Sequence, residues 1–140
     1  NKGFFTGLKL PEKSQKKSDH VIPSLFTDIK QDELPADLIS AALESYRSGN
    51  LRLALGYLLH HSLRWAQVQY EIKLHRSMTE RECKQAIDAS VPEQWQAVFG
   101  TLFSAWVSVA WGHRKPNIDF EQLAEQIKQM SLPVELNHET

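Results

Sequence analysis

Residues 38–70 read LISAALESYRSGNLRLALGYLLHHSLRWAQVQY, and this stretch decides the fold. Leu38, Ile39, Ala42, Leu43 and Tyr46 recur at the spacing of one helix face. Gly49-Asn50 breaks the pattern where a left-handed cap would end a helix. The pattern resumes at once with Leu51, Leu55, Leu58, Leu59, Ser62, Leu63, Ala66 and Tyr70. Two helices joined by so short a turn must lie antiparallel, as a helical hairpin.

Outward from the hairpin, the same period continues toward the C-terminus. Leu74 to Met78 is a break, and Thr79-Glu80-Arg81-Glu82 has the form of a capping box. It opens a short helix whose apolar positions are Cys83, Ala86 and Ile87. Ser90-Val91-Pro92-Glu93 repeats the start signal. The widest apolar stripe follows: Trp95, Val98, Phe99, Leu102, Phe103, Trp106, Val107 and Ala110. Its breadth predicts a helix at the centre of the core, closed by Gly112 and Pro116. A last helix is expected from about Asp119, with Phe120, Leu123, Ala124 and Ile127 inward. No segment alternates β-branched and polar residues. The expectation is an all-α bundle of about five helices built on the hairpin.

Upstream, the helical pattern begins at Leu34, with Pro35 suited to a first helical position. Residues 1–33 carry no sustained period and read as a linker. Val21, Ile22, Leu25, Phe26 and Ile29 are too apolar to be left in water, so an extended arm across the helical body is expected. The organisation is therefore a linker and arm over 1–33, a helical domain over 34–130 and a tail over 131–140.

Composition narrows the function classes. The 140 residues suit one domain, and 41% hydrophobic content supplies a core. Sixteen Lys and Arg against seventeen Asp and Glu give a net charge of −1, unlike the strongly basic footprint of a general nucleic-acid binder. Arg52, Arg64, Gln67 and Gln69 share no uninterrupted stripe, so a DNA recognition helix is disfavoured. A single cysteine cannot form an internal disulfide. No apolar run reaches the roughly 20 residues of a membrane span. The charge is unevenly placed: Lys2, Lys9, Lys13, Lys16 and Lys17 face only Glu12 and Asp19 in the first twenty residues. Lys128 alone stands against Glu121, Glu125, Glu135 and Glu139 in the last twenty. The basic end reads either as a solvated tail or as a juxtamembrane segment.

No pattern of catalytic residues emerges. His60 and His61 are neighbours, so on a helix they diverge by about 100° and do not share a metal readily. His75 and His113 are expected at helix ends, where an imidazolium meets the dipole favourably. Cys83 falls on a buried face and reads as an inert core thiol. No phosphate-binding glycine loop or nucleophile elbow occurs. An uncharacterised metal-dependent enzyme, built from distant His and Cys residues, is the less favoured alternative. Ala42, Tyr46, Gly49 and Ala54 follow the cadence of a tetratricopeptide repeat, but no second copy appears. A tetratricopeptide-like peptide receptor with a groove between the first two helices is therefore the other alternative.

The order of these motifs resembles a known family. Tyr46 to Leu59, YRSGNLRLALGYLL, is similar to the R-x-G-[ND]-x-x-x-A-L-x-x-L-[YL] core of a bacterial domain of unknown function. That domain occurs at the C-terminus of transglutaminase-like membrane proteins and in shorter membrane proteins. Thr79-Glu80-Arg81-Glu82 resembles its T-x-[RE]-E helix start. Phe103 to Pro116, FSAWVSVAWGHRKP, resembles its closing F-x-x-x-[WY]-Y-G-x-R-P signature, with Trp111 where many members have Tyr. Leu25 to Ala36 is similar to a proteobacterial branch, so the resemblance covers about residues 25–128.

The resemblance implies a transmembrane segment upstream of Asn1 and no catalytic or cofactor-binding residues to carry over; the five Lys near the N-terminus then place the domain, by the positive-inside tendency, on the cytoplasmic side of the inner membrane. It also implies a membrane-linked assembly, with a MoxR-type AAA+ ATPase or von Willebrand A-type proteins as protein partners; no nucleic-acid partner is expected, on the charge balance above. Within the signature, Trp106 and Trp111 are expected to anchor the fourth helix. Arg114 is expected to bond helix C-terminal carbonyls or, with His113 and Lys115, to mark a partner-contact corner.

Overall fold

A computed structural model describes residues 22–23 and 33–133. Five helices account for the described residues, with no strand among them: α1 (Leu38–Arg47), α2 (Leu51–Tyr70), α3 (Glu80–Ser90), α4 (Glu93–Ala110) and α5 (Phe120–Met130). The all-α expectation holds. Of the expected arm, Ile22 is buried in the core, while Val21, Leu25, Phe26 and Ile29 lie outside the described residues. The basic N-terminal stretch and residues 134–140 lie outside them too.

The turn between α1 and α2 does two jobs in two residues. Gly49 adopts φ +91°, a backbone region that side chains with a Cβ rarely enter. Its N–H donates to the Tyr46 carbonyl, and the Asn50 N–H donates to that of Ser45, the paired bonds of a Schellman motif. The Asn50 side chain then accepts from the Leu53 N–H and so caps α2. Residues at the start of α1 face His61, Arg64 and Trp65 of α2, which is the antiparallel arrangement of a hairpin.

Helix α1 starts later than Pro35. Asp37 is the cap: its carboxylate accepts from the Ser40 N–H at 3.1 Å and from the Ser40 hydroxyl at 2.8 Å. These bonds hold the Asp37 carboxyl below its ordinary pKa, the backbone bond from Ser40 contributing most.

The centre of the bundle is α2, packed against α1, α4 and α5. Its buried residues include Ala54, Leu55, Gly56, Leu58, Leu59 and His60, which run around the helix rather than along one stripe. The sequence pattern points instead to α4 as the central helix. Helix α4 does bury Phe99, Leu102, Phe103 and Trp106, but Ala97, Thr101 and Ser104 are exposed and leave it a solvent side.

The capping box at Thr79 forms as expected, with Thr79 and Glu82 bonding each other's backbone N–H. The second start signal does not operate. Ser90 is the last residue of α3, and Pro92 begins α4 without a side-chain cap. Gln96 instead reaches back, its amide donating to the Asp88 and Val91 carbonyls at 3.1 and 3.2 Å. It thereby satisfies acceptors at the end of α3 and locks the α3–α4 corner. The loop before α3 leaves α2 at Glu71, φ 54°, and is pinned by buried Ile72 and Leu74. His75 lies in this loop, away from any helix end.

Helix α5 returns to the hairpin. Asp119 caps it by accepting from the Gln122 N–H, and Phe120 stacks on Tyr46 with centroids 4.5 Å apart. An exposed Arg47–Glu121 ion pair at 3.3 Å lies beside that stack. Stacked aromatic area, rather than the solvated pair, holds the two helices together.

Candidate interaction surfaces

His113, Arg114 and Lys115 lie in an exposed loop just past the C-terminal end of α4. The N–H groups of Trp111 and Gly112 both donate to the Val107 carbonyl, and the chain then reverses at His113, φ 52°. The left-handed residue is therefore His113, not Gly112. Gly112 makes a close approach instead: a Cβ there would sit 3.1 Å from the Ser108 carbonyl oxygen, a tight contact that the backbone would have to relieve. It is the Arg114 backbone N–H that bonds Ser108, at 2.9 Å, while its side chain projects from the exposed loop without a hydrogen bond or ion pair among the described residues.

Trp111 corrects an expectation. It does not anchor α4, because it is 62% exposed, whereas Trp106 is 1% exposed. Positions 106 and 110 belong to the buried stripe, and position 111 falls outside it by about a quarter turn or more. The result is an exposed indole followed within four residues by exposed His113, Arg114 and Lys115. At the neighbouring start of α2, Arg52 stands over the Trp106 ring at 5.4 Å. This end of the bundle thus combines an apolar ring with several cations.

The histidine pair separates in space, as expected of adjacent helical positions. His60 is 1% exposed, and burial pushes its pKa down to about 4, with Arg64 adding to the effect. His61 is half-buried and also lowered by burial, with Asp37 opposing and Arg64 assisting. Its Nε2 lies 2.8 Å from the Ser131 hydroxyl, which itself donates to the Ile127 carbonyl. With the proton of His61 on Nε2, the one hydroxyl serves both contacts at once, accepting from the ring and donating to the carbonyl. Cys83 is fully buried and its thiol is pushed up to about 12, by burial first and by Glu80 second. A thiol so placed is a poor nucleophile. No group of three or more His, Cys, Asp and Glu among the described residues could hold a metal ion.

A surface that the sequence does not mark lies at the other end of the molecule. The C-terminal part of α2, the start of α4 and the end of α5 enclose an open cleft of about 880 Å³. Trp65, Tyr70 and Trp95 supply its aromatic walls, and Gln69, Gln94 and Gln129 its polar groups. Trp65 and Tyr70 meet edge to face, 84° apart with centroids at 5.5 Å. A shallower hollow of about 360 Å³ shares Trp65 and extends past His61 and exposed Val68 toward the start of α1. These residues come from three distant parts of the chain, which is why no local motif announces them.

No family model matches the chain, and no curated protein or solved structure matches it. No helix among the described residues is long and apolar enough to cross a membrane.

Proposed function

We propose that the chain is a non-catalytic module making protein–protein contacts within a bacterial membrane-linked assembly. In this reading it is a relative of the domain at the C-terminus of transglutaminase-like membrane proteins. A transmembrane segment upstream of Asn1 holds it on the cytoplasmic side of the inner membrane. The ordered motifs from Tyr46 to Leu59, from Thr79 to Glu82 and from Phe103 to Pro116 support that kinship. Its partners are proteins, with a MoxR-type AAA+ ATPase and von Willebrand A-type proteins as the first to test.

One observation carries the contact role: Trp111 is 62% exposed beside exposed His113, Arg114 and Lys115. Large aromatic and Arg side chains supply most of the binding energy at protein interfaces. An indole left in water with cations around it suits a partner surface that offers an apolar pocket rimmed by carboxylates.

Affinity capture of the full-length protein from its native membrane tests this. Recovery of an AAA+ or von Willebrand A-type protein is expected, together with its loss in a Trp111→Ala/Arg114→Glu variant that keeps its helical circular dichroism. Recovery of no specific partner, or equal recovery by the variant, defeats the proposal. A reporter fused at Thr140 tests topology, and signal from a periplasm-only reporter rejects the cytoplasmic placement.

A further inference from the structure

The solvent side of α4 is patterned as well as its buried side. A helix face in water ordinarily carries charged residues. From Gln94 to Gly112 this chain has no Asp, Glu, Lys or Arg. Ala97, Thr101, Ser104, Ser108 and Trp111 follow one another at alternating steps of four and three. That is the spacing of a seam along which two helices pack side by side. Ser108 is half-buried and the other four are exposed, so the seam faces away from the bundle. Gly100 flanks it, and a Cβ there would meet nothing nearer than the Lys84 side chain at 3.8 Å, an ordinary contact. A glycine in mid-helix costs about 1 kcal/mol against alanine, and packing within the described bundle does not call for one here.

The two ends of α4 indicate what the seam meets. The one acidic residue of the helix is Glu93, exposed in its first turn, and exposed His113, Arg114 and Lys115 follow its last. An acidic start and a basic end lie about 27 Å apart on an 18-residue helix and cannot pair within one copy. They pair when a second α4 lies antiparallel, and by symmetry they do so twice. A two-fold axis at Ser104 sets the register. Trp111 then falls opposite Ala97, Ser108 opposite Gly100, and Ser104 opposite itself. The bulky indole meets the smallest side chain of the seam, and the small residues between let the helices approach closely. An uncharged face also meets its own copy without like-charge repulsion.

We propose that the chain forms a dimer through the outer face of α4, antiparallel about a two-fold axis at Ser104. Trp111 of each copy packs over Ala97 of the partner subunit, and the loop cations Arg114 and Lys115 meet Glu93 of the partner subunit. The inference rests on the reading of the Trp111 corner as a protein-contact site and names a second copy as its first occupant, which any other partner has to displace. One helix pair lies at the small end of specific interfaces, so the dimer is weak, with a Kd on the order of 10–100 µM.

Sedimentation equilibrium of the full chain between about 1 µM and 1 mM tests the proposal, and a monomer–dimer equilibrium is expected. Ser104→Arg, at an exposed position, sets two cations face to face on the axis and should weaken the dimer at least about thirtyfold with its helical circular dichroism unchanged. Trp111→Ala should weaken it about tenfold. Glu93→Lys and Lys115→Glu should each weaken it about threefold, and the two together should restore it. Orientation is read by crosslinking under mild air oxidation, since the native Cys83 is buried. Ser104→Cys should form an intermolecular disulfide, whereas Ala97→Cys should not, its two copies lying about 21 Å apart. The dimer is read on purified protein and partner capture on membranes, so either reading can fail alone. A monomer throughout the range, a dimer that Ser104→Arg leaves intact, or crosslinking of Ala97→Cys as readily as of Ser104→Cys overturns the proposal.

Discussion

Replacement of His60 by Gln offers a quantitative test of how α2 is buried. His60 is 1% exposed with a pKa of about 4, while an unfolded histidine titrates near 6.5. A base whose folded pKa is depressed is held neutral, so the unfolded chain takes up the proton first. The stabilisation is complete above pH 6.5, is lost as pH falls from there, and is exhausted once pH passes below about 4. Integrated between pH 7.5 and pH 5, one group with these two pKa values removes about 2 kcal/mol of stability. The half-buried His61 acts in the same direction. The carboxylate of Asp37 contributes only at more acidic pH, because its folded pKa is lowered below an already acidic value and its stabilisation is lost as pH falls through that range. Urea unfolding followed by circular dichroism at the two pH values measures the difference. For the wild type it should exceed that of His60→Gln by about 2 kcal/mol, whatever the variant's stability at pH 7.5. Parallel pH dependence in the two proteins would refute the burial of a neutral imidazole at the centre of the bundle.

Two further perturbations separate core from surface and turn from helix. Trp106→Ala should cost about 3–5 kcal/mol and Trp111→Ala less than about 0.5 kcal/mol, although both residues belong to one signature. Chemical denaturation of both variants reads this, and equal losses would contradict the exposed placement of Trp111. Gly49→Ala should destabilise by about 1 kcal/mol, because the φ of +91° at the hairpin turn is strained for any residue bearing a Cβ. A thermal melt that is unchanged or raised would show that the turn is not of the left-handed type.

The parts of the fold that are legible in the sequence are those whose cause is local. Gly49 and Asn50 mark the hairpin because left-handed φ and side-chain capping are properties of single residues. The Thr79 box likewise needs only residues 79–82. Asp37 is as readable as Pro35, but two start signals so close together cannot be ranked without knowing which amides need an acceptor. Ser90-Val91-Pro92-Glu93 misleads for the same reason, since Gln96 satisfies the end of α3 through space. The periodicity of α4 leaves Trp111 at the margin, one turn past Val107; in the structure the buried face stops short of Val107, which is only half-buried, and so leaves Trp111 in solvent.

The candidate surfaces divide along the same line. The basic corner is a run of consecutive residues, so its composition is plain in the sequence, and the structure adds that an exposed indole stands within it. The cleft has no such run. Trp65 reads locally as one more apolar residue of α2, and Trp95 as the first of the α4 stripe. Both are half-buried beside the end of α5, where Gln129 to Pro133 line the same cleft. At Ser131, where α5 ends, the hydroxyl turns onto the Ile127 carbonyl and pairs with the His61 Nε2 across the gap. The cleft is assembled from residues 65–70, 92–95 and 129–133, a relation that no local window contains. Lengthening α5 by stronger helix formers at Ser131 and Leu132 should close the cleft and bury Trp95. Quenching of tryptophan emission by acrylamide, reduced in such a variant, would report that closure, and unchanged quenching would show that the cleft has some other cause.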